Sequence, residues 1–370
     1  MYEHKSKKTY CVRTRSRFFA YLSLKLIYTC FTGIIKLLNT FRREHVDLAL
    51  SIDIGGTNTK MALIAYGGNI IASDTVPTQQ FHNESAFFQG LFLAIGNLLK
   101  QLKQDYQLLG IGIGAPSCNE NEGIIENPAN LPFSDRVEIV QIFERQYGLP
   151  TYLIKDSNAA TLGEYLFGAA VGVPNFVLLT LGTGLGCGVM VNGQLAKGAN
   201  GLAGELGHTM IEPNGRSCGC GKKGCLETYV SATALKRTVF ELMATTLHKS
   251  ILRKTSYERL SSKDIFDAAQ QDDRIAIMAF EETGKVLGRK LADIVAYLEP
   301  ELIILTGGLS KSGILLIKPT LRGMEENLLN MYKGRVRIRT SALGVNNAAL
   351  LGAASLVWQG EKYQLKAESN

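Results

Sequence analysis

The most chemically specific residues in this 370-residue chain lie close together in GELGHTMIEPNGRSCGCGKKGCLE, residues 204–227: His208, Cys218, Cys220 and Cys225. One imidazole and three thiolates make a tetrahedral zinc set with no position left for water, so the Zn²⁺ they imply is structural. The competing reading is a group of buried thiols beside a satisfied histidine. Of the seven cysteines, three fall in this stretch, and an odd, crowded set fits a reducing compartment and a metal better than a disulfide framework. Glu205 and Glu227 bracket the stretch, where they could accept hydrogen bonds from hydroxyl groups.

Three glycine turns offer backbone N–H groups to anions. DIGGTNTK, Asp53 to Lys60, reads as a strand, a tight turn and a second strand. Gly55 and Gly56 let the backbone approach a phosphate, Thr57 can donate to it, and Asp53 can hold Mg²⁺ through water. A plain hairpin with a capping Asp is the bland alternative. LGTGLGCG, Leu181 to Gly188, repeats the nest with Gly182, Thr183 and Gly184. One such turn is weak evidence; two in matching positions could each touch one end of a triphosphate. In ILTGGLSKSG, Ile304 to Gly313, Gly307 and Gly308 follow a buried strand, as close approach to a flat base such as adenine requires. An ordinary strand-to-helix turn would not need both.

YLIKDSNAATLGEYLFG, Tyr152 to Gly168, predicts an apolar strand ending at Lys155 and a helix starting near Ser157. Asp156 then stands at the helix mouth, either as its N-cap or as a base kept ionised by the helix dipole to deprotonate a hydroxyl.

Positioning these residues needs two similar α/β units. The stretch from Asp47, LALSIDIGGTNTKMALIAYGGNIIAS, has the same strand–turn–strand–turn–strand pattern as NFVLLTLGTGLGCGVMVNGQLAKG at 175–198. Such a repeat predicts two domains of related topology facing one another. Helical apolar spacing at 85–103 and 275–298, with buried-strand runs at 110–115 and 302–306, predicts mixed sheets covered by helices.

The net charge of +7 comes from the first 46 residues, which hold ten Lys or Arg against two Glu and leave the rest of the chain near −1. The body therefore has no electrostatic footprint for nucleic acid. Residues 18–38 are apolar enough for a signal-anchor core, but Lys25 interrupts them, and the preceding basic residues would send the remainder outside. The expectation is a non-native or over-extended start, or a loosely attached helix, ahead of an anchor or a cleaved signal. Nor do these residues show the two short helices and turn of a helix-turn-helix.

Taken together, DIGGTNTK, KDSNAA, ELGH with CGCGKKGC, and LTGG resemble the ROK family of bacterial sugar kinases and repressors, in the actin-like ATPase superfamily. The resemblance covers about residues 47–358. It implies an α/β fold of two ribonuclease-H-like domains with an interdomain cleft, and ATP-dependent phosphorylation of a hexose. The domains expected are a small one at 47–154 completed by a C-terminal helix at 346–358, and a larger one at 155–345 carrying the zinc motif. By the same resemblance Asp156 is the base, and Asn130, Glu205, His208 and Glu227 contact the sugar. His208 would then place one ring nitrogen on zinc and the other on the sugar. Glucose is the first substrate expected, with N-acetylhexosamine or fructose next; a sugar-sensing regulator without kinase activity is the alternative from another class.

The chain departs from the family pattern at three places near the expected sugar cleft, and these bear on which sugar it takes. Lys155 stands where Asn usually precedes the base, Phe133-Ser134 where Gly-Trp is frequent, and Ser117 where Gly is common. The remaining expectations are a cytoplasmic homo-oligomer, dimer or tetramer, with no nucleic-acid partner and no stable membrane association.

Overall fold

A computed structural model describes residues 45–367 except 104, 129, 130, 134 and 200. The expectations for the basic, apolar leader, and the site assignment of Asn130, lie outside the described residues. The described residues of 47–102 and 108–367 form one compact unit.

The chain begins with β1 (Val46–Ile54), β2 (Asn58–Ala65) and β3 (Ile70–Pro77), continues through α1 (Glu84–Lys100) into β4 (Tyr106–Ala115), and then makes a small sheet of β5 (Cys118–Asn119), β6 (Ile124–Glu126) and β7 (Arg136–Val137). After α2 (Ile139–Tyr147), β8 (Thr151–Lys155) completes a five-stranded sheet and leads into α3 (Asp156–Phe167). The second half repeats the plan. Its strands β9 (Phe176–Leu181), β10 (Leu185–Val191) and β11 (Gln194–Leu195) are followed by α4 (Ala232–Thr245), α5 (Ser262–Ala269) and α6 (Arg274–Leu298). Then come β12 (Leu302–Thr306), α7 (Ile314–Asn327), β13 (Arg337–Thr340) and α8 (Gly344–Ala367).

The sheet orders, β3-β2-β1-β4-β8 and β11-β10-β9-β12-β13, correspond strand for strand. In each, two antiparallel neighbours lead into a parallel pair at the far edge. The repeat seen in the sequence is thus a repeat of topology, in the ribonuclease-H-like arrangement that the resemblance implies. Every residue of β12 is buried, as are most of β1 and β9, because helices cover both faces.

α3 and α8 carry the first sheet's helical layer. Leu350, Leu351, Ala354 and Val357 of α8 pack on Ala49, Ala62 and Ile64 of β1 and β2. The backbones of α3 and α8 touch: a Cβ on Gly352 would lie 1.7 Å from the carbonyl oxygen of Ala159. The helix bearing Asp156 is therefore clamped on one side by α8, and on the other it meets β10, where Gly188 packs over Thr161.

No helix among the described residues is long and apolar enough to cross a membrane.

Candidate active site

α3 starts one residue earlier than the sequence suggests. Lys155 is its cap residue, extended at φ −58° and ψ 135° with no side-chain capping bond, and Asp156 is its first helical residue. The capping explanation for Asp156 therefore falls: Oδ1 accepts from the adjacent Ser157 N–H at 2.6 Å, not from an amide two or three residues on. Burial pushes the Asp156 carboxyl above its ordinary 3.8, the Ser157 N–H and the Lys155 ammonium pull it back, and Glu205 raises it. A stronger base than a free aspartate results.

Next to Asp156, Ser157 Oγ and Thr180 Oγ1 are buried with no hydrogen-bond partner. Both flank Gly186, where a Cβ would lie 3.2 Å from Ser157 Cβ and 3.6 Å from Thr180 Cβ. Unsatisfied hydroxyls beside a helix N-terminus suit an anionic group, and so fit a nucleotide phosphate.

The turn between β1 and β2 is closed by Gly55 N–H donating to Asn58 O at 3.1 Å, and Thr78 Oγ donates to Gly55 O at 2.7 Å. Gly56 is partly buried and Thr57 is exposed at its tip. Asp53 faces Lys60 across the ladder, with Nζ 3.8 Å from Oδ2. Burial pushes Asp53 up to about 6, Lys60 counters this, and Asp156 adds to it. A carboxylate raised by burial and by the neighbouring Asp156 carboxylate, and only partly offset by Lys60, fits a divalent cation such as Mg²⁺.

The turn between β9 and β10 has no charge of its own. Gly182 N–H donates to Gly184 O at 3.0 Å, Ala232 N–H of α4 donates to Gly182 O at 2.8 Å, and Leu185 N–H donates to Glu227 Oε2 at 2.9 Å. Thr183 is exposed at the tip. Gly307, at φ 89°, abuts this turn, since a Cβ there would lie 2.4 Å from Leu181 O. Gly182 and Gly308 instead face open space, leaving room for a ligand along this edge.

Ligand atoms of His208, Cys218, Cys220 and Cys225 all lie within 4.8 Å of one another. Cys220 and Cys225 sulfurs are 3.6 Å apart, as are Cys218 Sγ and His208 Nδ1. A tetrahedral zinc with bonds of about 2.3 Å needs ligand separations of roughly 3.8 Å, so the set fits that metal. His208 Nε2 points away, 3.8 Å from Glu205 Oε2, as expected if its two nitrogens face different partners. The loop is braced by Arg216, whose guanidinium donates to Thr228 O and Thr238 Oγ, pairs with Glu241 and stacks 4.5 Å from the Tyr229 ring centre.

Several functional neighbours were not among the expected site residues. Lys155 Nζ bonds Glu205 Oε1, and Glu120 accepts at Oε1 from the Lys155 N–H at 3.1 Å and from Asn158 Nδ2 at 3.3 Å. Lys197 Nζ lies 2.6 Å from Glu120 Oε2, an ion pair not aligned as a hydrogen bond. The signal for Lys155 was its departure from the family pattern; Glu120 and Lys197 sit in loops with no periodicity to reveal them. The other departures are explained locally. Phe133 stacks on Phe88 at 5.7 Å and meets Phe87 edge-on, inside an aromatic cluster, and Ser117 sits at φ 51°, the left-handed region that favours glycine.

Asp156 thus has Glu205, paired with His208, and the Asp53 turn both within electrostatic reach, while Glu227 joins the loop of the Cys/His set to the second turn. Known proteins are similar to this chain in sequence and in fold. A glucokinase of Halalkalibacterium halodurans is 36% identical over 318 residues, covering 84% of this chain and 95% of the relative. A crystal structure of a ROK family glucokinase from Streptomyces griseus, in complex with glucose and AMPPNP, superposes with a TM-score of 0.73 at 29% identity, over 84% of this chain and 99% of that one. A ROK family transcriptional regulator, a homologue of the E. coli MLC protein, gives 0.75 at 26% identity, over 85% and 78%. The ROK family model matches residues 49–360. With its doubled α/β fold of the actin-like ATPase type, this chain belongs to the ROK family.

Proposed function

We propose that this protein is an ATP-dependent hexose kinase, with glucose its first substrate and Asp156 its general base. The observation that carries the reading is the setting of Asp156. It is half-buried at the first turn of α3, close enough to Asp53 of one glycine turn to raise that carboxyl, and is itself raised by Glu205 beside the zinc loop. A base must reach both the hydroxyl it deprotonates and the phosphate that hydroxyl attacks, and this placement serves both needs.

In this reading Glu205, His208 and Glu227, with Asn130, hold the sugar hydroxyls. Asp156 takes the proton from the attacking oxygen, while the backbone amides of Gly55, Gly56, Gly182 and Gly184, with Thr57, Thr183 and Lys60, hold the phosphates. Gly307 and Gly308 flank the base of the nucleotide. Asp53 would hold Mg²⁺, which supplies neutralisation of phosphate charge. His208, Cys218, Cys220 and Cys225 would hold zinc, which supplies rigidity to the loop bearing Glu205 and Glu227. We assign residues 47–154 with the helix at 346–358 to one domain and 155–345 to the other, closing on the sugar.

A coupled ADP-release assay over a panel of hexoses tests the reading, with the highest kcat/KM expected for glucose. Greater efficiency on N-acetylhexosamines or fructose would reassign the sugar. A deoxy sugar lacking the hydroxyl read by Glu205 and His208 should lose at least about tenfold in kcat/KM, because the two groups are left unpaired once the bound sugar covers them. Sugar binding without any ADP release would favour a regulator, the class to which one of the similar solved structures belongs.

A further inference from the structure

We infer that Lys155 is a positioning residue of the sugar site: its ammonium fixes the Glu205 carboxylate so that one oxygen remains to meet a single sugar hydroxyl together with His208. This rests on the kinase reading above and deepens it.

The Lys155 side chain is only 12% exposed. Its ammonium bonds Glu205 Oε1 and lies 3.4 Å from Ala203 O. Its backbone is held as well, by the Glu120 carboxylate, which Lys197 and Asn158 also engage. The loop that brings Glu205 to it is seated closely on β10, since a Cβ on Gly204 would lie 2.5 Å from Cys187 O. An ammonium held at both its head and its backbone is a fixed point, and Glu205, itself 54% exposed, takes its orientation from it.

The geometry left over is specific. With Oε1 occupied by Lys155, Glu205 Oε2 faces His208 Nε2 across 3.8 Å, too far for a direct hydrogen bond. One hydroxyl oxygen about 2.8 Å from each would fit, donating to the carboxylate and accepting from the ring N–H. A free Glu205, carrying its charge toward Asp156 with both oxygens rotatable, would lose that selection and would raise the base further. Lys155 therefore orients one reader of the sugar and offsets a charge beside the catalytic carboxylate, without itself taking part in proton transfer.

The test is a double-mutant cycle with Lys155→Met and Glu205→Gln, read as separate KM values for sugar and ATP, alongside zinc content and thermal midpoint. Lys155→Met should raise the sugar KM by about tenfold and leave the ATP KM within about twofold. The double variant should be no worse than the poorer single, and Lys155→Arg should restore most of the affinity. Effects that multiply, or equal changes in both KM values with arginine giving no rescue, would overturn the inference while leaving the kinase reading intact. A wild-type protein that phosphorylates no hexose would remove both. Should the methionine variant be insoluble, Lys155→Gln, which keeps a donor but no charge, completes the same cycle.

Discussion

The two glycine turns occupy matching places in matching sheets and are held together by opposite means. In register, Asp53 of β1 corresponds to Thr180 of β9, and Lys60 of β2 to Gly186 of β10. The first turn carries a partly buried carboxylate and an ammonium of its own. The second has neither, and Glu227 reaches in from the zinc loop to accept from Leu185 N–H. Duplicated backbone thus supplies the same amide nest twice, while charge is placed on one copy and external support on the other. The lesson is that the scaffold repeats but the chemistry does not, and that α3, lying against both sheets, is where the two halves meet at Asp156.

The largest effect should come from that meeting point. Asp156→Asn keeps the shape and the Ser157 contact and removes the proposed base, so kcat should fall by on the order of 10²–10⁴ with sugar binding and thermal midpoint little changed. A variant retaining more than about a tenth of wild-type turnover would show that the base lies elsewhere.

The asymmetry between the turns predicts unequal responses at corresponding positions. Asp53→Asn should lower kcat/KM for ATP by on the order of 10²–10³ if Asp53 holds the cation that neutralises phosphate. Thr180→Val, at the equivalent place, buries an apolar group where an unpartnered hydroxyl now sits and should change kcat/KM by no more than about tenfold. Equal losses would mean that the two halves share the charge work. The pH dependence follows from the Asp53 pKa of about 6. Activity that needs its carboxylate should rise as pH increases through about 6, at limiting Mg²⁺. Stability of the ligand-free protein should move the other way: the fold binds that proton more tightly than the unfolded chain, so the thermal midpoint declines as pH rises past the ordinary carboxylate range toward about 6. Asp53→Asn should flatten part of that decline.

The external support of the second turn is Glu227, on the loop whose His208 and three cysteines are proposed to hold zinc, so removing that metal tests the other half of the comparison. Replacing Cys225 by Ser should remove the one zinc bound per chain, measured by elemental analysis, and lower kcat/KM for the sugar by about 10–100-fold. The Asp53 turn should keep its part of the ATP interaction. Full activity after strong chelation, in protein shown to be metal-free, would sever the link between the zinc loop and the sugar.

The sequence made the repeat, the zinc set and the three glycine turns legible because each is local: periodicity marks a strand, and spacing marks a metal set. α8 packing on the first sheet could be named from the resemblance, but its contact with α3 depends on Gly163 and Gly352, which look like ordinary helix breakers in sequence. The start of α3 was misplaced by one residue because Lys155 is a poor cap by type, and its extended backbone is fixed by Glu120 from thirty-five residues away. Arg216 lay in full view within the zinc stretch. Its partners Thr238 and Glu241 belong to α4, and only folding brings them to it.

The finest test lies within the second turn itself, at two glycines that look alike in the sequence. A Cβ on Gly184 would lie 2.3 Å from Glu227 Oε2, whereas one on Gly182 would meet nothing within 4 Å. Gly184→Ala must therefore displace the carboxylate that accepts from Leu185 N–H, and should cost about 1–3 kcal/mol of stability together with a weaker sugar interaction. Gly182→Ala leaves the turn's own bonds intact and should be within about 1 kcal/mol of wild type in unfolding. Its methyl enters the open space assigned to the nucleotide, so its effect should appear as a raised KM for ATP and not for sugar. Chemical denaturation with separate KM measurements distinguishes the two. If Gly182→Ala destabilises as much as Gly184→Ala, the turn is held by its own backbone, and Glu227 is not the support that sets it apart from the turn at Asp53.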